Sequence, residues 1–252
     1  MHTKHTVMAK NENLRIHIAP VGYEIDRIVL PAKKKRADKV YLLIHENPSI
    51  DKAFSFYETT EKKLKKLGID VVRERHNRLD LFNIIKSIRE IIQKEQGNII
   101  YVNLASGSKI QSIGCMMACM MFNDDQNVQP FYVEAKEYVG FSGKPISTGI
   151  KEIQDMPTYE IKRPHQKHVD ALRIINEHGG RISKKEMAQI AKEEKLIVVN
   201  AENESQATFA SLDKNIISVL KDQWGFVKVE QIGRTRWIEI TEEGRNAAEF
   251  LV

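Results

Sequence analysis

A chain of 252 residues, 42% hydrophobic and 29% charged, has the balance of one large or two modest soluble globular domains. That composition excludes an intrinsically disordered chain, a collagen-like repeat and a disulfide-dense miniprotein. The net charge is +5, and the whole excess lies before Arg163; from there to Val252 basic and acidic residues balance. A basic excess of this size is a weak pull toward polyanionic ligands.

The two cysteines, Cys115 and Cys119, make no disulfide framework, which fits a reducing cytoplasm. No apolar run approaches the ~18 residues of a membrane span, so no membrane contact is expected. The opening residues lack an apolar signal core, so no secretory signal is expected either.

Residues 1–12 are polar and are expected to form a disordered tail. From Leu14 the pattern alternates strand and helix. Leu14–Ala19 reads as a first strand and Val40–Ile44 as a second, apolar enough to be buried on both faces. Ile69–Val72, Ile99–Leu104 and Pro130–Val133 follow as strands. Between them, Ile50, Phe54, Tyr57 and Leu64 share helical spacing; Leu81, Ile84, Ile85, Ile88 and Ile92 form a stripe that Asp80 caps; Ile110, Ile113, Met117, Met120 and Met121 form another. Pro31 either opens a helix or kinks one begun near Glu24. The run Lys33–Arg36 reads as a solvated helix end. Strand, helix, strand at this spacing predicts parallel strands with right-handed crossovers, an open doubly wound α/β sheet.

The grammar then changes. Gly140, Gly143, Pro145, Gly149, Pro157 and Pro164 punctuate a linker-like stretch with room for a short hairpin. A helix follows over His168–Asn176, ended by Gly179-Gly180; Ser183 and Glu186 form an S-x-x-E cap for a second; a third carries Phe209, Leu212, Ile216, Val219 and Leu220. Strands at Val227–Val229 and Arg236–Ile240 flank a turn at Gly233-Arg234-Thr235, and a last helix carries Ala247, Ala248, Phe250 and Leu251. Three helices, a β-hairpin and a closing helix is the winged helix-turn-helix order.

In an open α/β sheet, ligands bind beyond the carboxyl ends of the strands, at the switch in strand order. After the first strand come Gly22, Tyr23, Asp26 and Arg27: a close backbone approach, a stacking face and polar side chains. After the fourth come Asn103, Ser106, Gly107, Ser108 and Lys109, small residues at a helix start whose free amides suit an anion. Neither G-x-x-x-x-G-K-[ST] nor G-x-G-x-x-G occurs, which disfavours P-loop and ordinary dinucleotide binding, and no cofactor is expected.

These two loops, with the winged helix behind them, resemble the CARF family, the CRISPR-associated Rossmann-fold sensors of cyclic oligoadenylates, and most closely its transcription-factor branch. Gly22-Tyr23 matches the family's Gly-aromatic pair, and Asn103 with Ser106-Gly107-Ser108-Lys109 matches its second motif, with Ser106 where the family often has a first glycine. The resemblance covers Leu14 to Phe250. It implies a CARF-like, Rossmann-like sensing domain over 13–145, a linker over 146–164 and a winged helix-turn-helix over 165–252. It further implies a homodimer with one symmetric cyclic-nucleotide pocket, in an antiviral regulator that is not an enzyme, although some related domains cleave their ligand slowly.

Within the winged helix, Gln206, Thr208, Ser211 and Lys214 are placed to face the major groove of double-stranded DNA. Arg234 and Arg236 at the wing tip, and Lys184 and Lys185 at the second helix, are placed to meet backbone phosphate. The balanced charge of this half favours the alternative, a winged helix that binds protein. A further alternative is a ligand-activated ribonuclease, because Arg173 and His178 fit the R-x4-H spacing of HEPN nucleases; Arg163 and His168 fit it too, so the pattern is cheap. The cysteine pair, amid methionines, reads as buried thiols, and His165 with His168 lacks the further ligands of a metal site.

Overall fold

A computed structural model of the chain describes residues 13–124, 127–140, 144–198 and 204–252. The expected tail, residues 1–12, lies outside the described residues. The chain divides after Ile161 into two compact units.

In the first unit, β1 (Arg15–Pro20), β2 (Lys39–His45), β3 (Asp70–His76), β4 (Ile99–Asn103) and β5 (Val128–Tyr138) run parallel. The helices α1 (Asp26–Lys34), α2 (Phe54–Lys66), α3 (Leu81–Lys94) and α4 (Lys109–Met121) supply the crossovers. The strand order is β3-β2-β1-β4-β5, with a sixth strand, β6 (Ser147–Asp155), antiparallel on the edge of β5. Right-handed crossovers place α1 and α2 on one face and α3 and α4 on the other. The inner strands carry the core: Ile16, Ile18, Val40, Leu42, Leu43, Ile100 and Val102 have no exposed surface. Burying each such side chain contributes about 1.5–3 kcal/mol. This is the Rossmann-like sheet that the alternating pattern predicts.

The stretch expected to be a linker, 146–164, is corrected: Ser147–Asp155 is β6, and the unit extends to Ile161. Its sequence does not look like a strand because an edge strand exposes most of one face; of its residues only Ser147 is buried. β3, the other edge, likewise extends through Arg73, Arg75 and His76 beyond its apolar start, and charged residues there blunt the edge against foreign strands. β5 is also longer than expected and changes register between Glu134 and Ala135.

The helix starts follow their capping residues. Asp80 accepts from the amides of Phe82 and Asn83 at α3, and Ser108 and Gln111 form a reciprocal capping box at α4. Pro31 lies inside α1 rather than at its start. The basic run divides: Lys33, Lys34 and Arg36 are exposed, whereas Lys35 pairs with Asp155 at 2.9 Å and sits over the Tyr101 ring.

The second unit has α5 (Gln166–Glu177), β7 (Arg181–Ser183), α6 (Lys184–Glu193), α7 (Glu204–Leu212), the hairpin β8 (Val227–Ile232) and β9 (Thr235–Ile240), and α8 (Glu242–Leu251). The strands form an antiparallel sheet in the order β7-β9-β8, the winged helix arrangement. Gly180, at a positive φ of 82°, donates to the Ile175 carbonyl and closes α5. Ser183 Oγ accepts from the Glu186 amide to start α6. Beyond Leu212 the α7 backbone widens into π-helical stretches, Asp213–Ile217 and Val219–Gln223. The wider turn brings Ile217 into the core with Leu212, Ile216 and Leu220, while Val219 stays half-buried. Among the described residues no helix is long and apolar enough to cross a membrane.

Candidate functional site

The strand order reverses between β1 and β4, and the two loops singled out by their residues leave the sheet there. They touch backbone to backbone. A Cβ on Gly22 would lie 2.9 Å from the Gly107 nitrogen; one on Gly107, whose φ is +81°, would lie 2.5 Å from the Pro20 Cβ. Both positions need glycine for this approach. Ser106 ties the loops further: it is buried, and its Oγ donates to the Pro20 carbonyl at 2.7 Å.

Several residues expected to meet a ligand serve the protein instead. Asn103 is 1% exposed. Its Oδ1 accepts from the Ala105 amide and its Nδ2 donates to the Arg27 carbonyl, both at 2.8 Å. That carbonyl is the one left without a helical donor by Pro31, four residues on, so Asn103 repairs the proline's break in α1. Ser108 spends its hydroxyl and amide on the capping box: Gln111 Oε1 lies 2.9 Å from its amide nitrogen and 3.1 Å from its Oγ. Asp26 accepts from the Gly149 amide at 2.9 Å and pairs with Lys63.

What faces outward is smaller. The half-buried Tyr23 meets the Phe56 ring edge-on, with centroids 5.5 Å apart. Lys109 is exposed, and the amides of Lys109 and Ile110, in the first turn of α4, have no acceptor among the described residues. Two free amides at a helix N-terminus with an ammonium group beside them attract an anion. The crevice therefore offers anion contacts on the β4 side and an aromatic ring on the β1 side.

Two supporting contacts are legible only in part from the sequence. Glu24 and Arg27, at i,i+3 spacing, form a buried ion pair in which Arg27 Nη1 lies 2.9 and 2.8 Å from the two carboxylate oxygens, and Arg27 Nε donates to the Val133 carbonyl. Behind the α4 turn, Gln111 Nε2 lies 3.0 Å from His76 Nε2. Because Gln111 Oε1 faces the Ser108 amide, its Nε2 must be the donor, which assigns His76 Nε2 as the unprotonated ring nitrogen. Burial, then the neighbouring Arg78 and His45, pushes the His76 pKa down to about 4, so the ring is neutral as this bond requires. S-x-x-Q at 108–111 is the sequence signal for the capping box; nothing in the sequence marks His76 as its neighbour.

On the winged helix, Gln206, Ala210 and Lys214 are exposed, while Ser211 is half-buried and accepts from Asn215 Nδ2. Thr208 is corrected: at 7% exposure it points inward and presents nothing to a groove. Lys185, Arg234 and Arg236 are exposed. Lys184 forms an ion pair with Asp213 and lies over the Phe209 ring. Arg173 is held by Glu177 and Glu194 at 2.9 and 2.6 Å, and His178 Nδ1 lies 2.7 Å from the Ile174 carbonyl. The R-x4-H pair is thus spent on local contacts. Cys115 and Cys119 are fully buried thiols whose pKa values burial raises, and no cluster of three or more metal-ligating residues occurs among the described residues.

Residues 15–138 match the HFX_2341-like N-terminal domain, and residues 167–252 match the C-terminal winged helix domain of DUF6293. The two matches fall one in each unit, an N-terminal domain followed by the winged helix expected from the sequence. The uncharacterised protein MJ1513 of Methanocaldococcus jannaschii is 29% identical over 216 residues, covering 75% of this chain and 64% of that protein. Enterococcus italicus Csm6 bound to cyclic hexa-2'-fluoro-hexa-dAMP aligns with a TM-score of 0.46 at 9% identity, over 84% of this chain and 57% of that one. Can2 from Sulfobacillus thermosulfidooxidans in complex with cyclic tetra-adenylate aligns with a TM-score of 0.41 at 10% identity, over 93% and 63%. This chain thus spans less than two thirds of each of these proteins.

Proposed function

We propose that this protein is a ligand-responsive DNA-binding regulator that works as a homodimer and is a sensor rather than an enzyme. In this reading the crevice between the β1 and β4 loops takes a cyclic oligoadenylate. A phosphate sits on the Lys109 and Ile110 amides beside the Lys109 ammonium, and a base lies against Tyr23. The winged helix contacts double-stranded DNA through Gln206 and Lys214 in the groove and through Lys185, Arg234 and Arg236 on the backbone. Ligand binding that favours one dimer arrangement over another would alter the spacing of the two winged helices and hence operator affinity.

The observation that supports this best is the pairing of two features: an anion-accepting turn at the sheet's switch point, and a winged helix whose exposed cations lie on the helix face and wing expected to meet DNA. The CARF resemblance supplies the ligand class. The test is fluorescence anisotropy with a labelled duplex taken from upstream of the protein's own gene, with and without cyclic tetra- or hexa-adenylate. The expected result is salt-sensitive DNA binding whose affinity changes at least about fivefold with one of the ligands, a coupling of usual size. Absence of DNA binding even at low salt would favour a winged helix that binds protein.

A further inference from the structure

Besides its contacts with the neighbouring strands, the β4 loop and α2, the β1 loop is fastened to β6. Three consecutive contacts join them. The Ile146 amide donates to the Tyr23 carbonyl at 3.1 Å, Ser147 Oγ donates to Glu24 Oε1 at 3.0 Å, and the Gly149 amide donates to Asp26 Oδ2 at 2.9 Å. The central contact is closed to water: Ser147 is 1% exposed, Glu24 4% and Arg27 5%. Arg27 completes the joint by holding both carboxylate oxygens of Glu24 and the Val133 carbonyl of β5.

The loop and the start of β6 therefore move together. Separating them would take a donor from the buried Glu24 carboxylate and leave the buried Ser147 hydroxyl without its partner, a real cost. A shift of Gly22 and Tyr23 is more cheaply passed on than absorbed. β6 is suited to receive it: it is the sheet's edge, paired on one side only, and most of its residues are exposed. It is also the last regular element before the chain enters the winged helix unit at Lys162.

We propose that Glu24, Arg27 and Ser147 are positioning residues for the ligand loop and that β6 is the element through which occupancy of the crevice reaches the winged helix. This rests on the proposed function for the identity of the ligand, while the mechanical joint itself does not.

The test uses the full-length protein and Ser147→Ala, a small change that deletes one hydroxyl and keeps the fold. Without ligand, amide exchange followed by mass spectrometry in the peptide spanning 21–27 should speed up by about fivefold or more in Ser147→Ala, the signature of a loosened local unit. With cyclic tetra- or hexa-adenylate, wild-type exchange across 147–155 should slow, and ligand should shift DNA affinity. In Ser147→Ala the ligand-free DNA affinity should match wild type while most of the ligand-dependent shift disappears. Unchanged exchange at 21–27 in the variant overturns the joint, whether or not any ligand binds. A bound ligand that leaves 147–155 unaffected, or a DNA response that survives in Ser147→Ala, overturns the role of β6. A wild-type protein that binds neither ligand is the separate failure of the proposed function, and it removes the signal that β6 was to carry.

Discussion

His76 is held neutral by burial, with Arg78 and His45 beside it, and its Nε2 accepts from the Gln111 amide whose oxygen holds the Ser108 turn. Its proton leaves near pH 4 in the folded chain against an ordinary value of 6.5. Between those values the unfolded chain binds a proton that the folded chain refuses, so stability falls as the pH drops through that window, by up to about 3 kcal/mol. His17, buried between Tyr101 and Phe131 with its pKa pushed down to about 3, acts in the same direction. Urea midpoints should fall from pH 7 to pH 5 in the wild type and fall less in His76→Asn; equal slopes would remove His76 from the account. Ser108→Ala should cost about 1 kcal/mol as a lost helix cap. At this scale the loops were legible as places, but the jobs within them were not. A small polar residue at a strand end reads the same whether it meets a ligand or, like Asn103 and Ser106, satisfies a buried carbonyl.

At the scale of elements, α1 continues through a proline because a side chain from β4 supplies the missing donor. Asn103→Leu should therefore destabilise the N-terminal unit by about 1–3 kcal/mol, the cost of a buried carbonyl without a partner, and thermal unfolding would show it. A variant as stable as wild type would mean that α1 tolerates the break. Legibility followed position in the sheet. β1, β2 and β4, buried on both faces, announce themselves as apolar runs. The edges do not: β3 stops looking like a strand at Arg73, and β6, punctuated by Gly149 and polar along its exposed face, reads as linker. In the winged helix, 3.6-residue spacing locates α7 but cannot foresee the π-helical widening after Leu212 or the inward turn of Thr208. The wing carries its own prediction. Arg234→Ala with Arg236→Ala should flatten the dependence of log K on log salt by about 2, one phosphate contact each. An unchanged slope would take the wing off the DNA backbone.

Across the whole molecule, most of the basic excess lies in the unit with the anion-accepting crevice, while the winged helix unit, from Lys162, has 15 basic and 14 acidic residues and ties Lys184, Arg173 and Lys228 to carboxylates. In the proposed function, DNA affinity would then depend on a few exposed cations and on having two winged helices per dimer, a sharper dependence on spacing than a strongly basic surface would give. The central claim is that the crevice between β1 and β4 binds a cyclic oligoadenylate across a two-fold axis. Calorimetric titration of wild type and Lys109→Ala with cyclic tetra- and hexa-adenylate tests it most directly. The account predicts one ligand per two chains for one of the rings, with affinity reduced about tenfold or more in Lys109→Ala, as for loss of a charge-assisted contact. Binding of neither ring, or binding that Lys109→Ala leaves untouched, would contradict it.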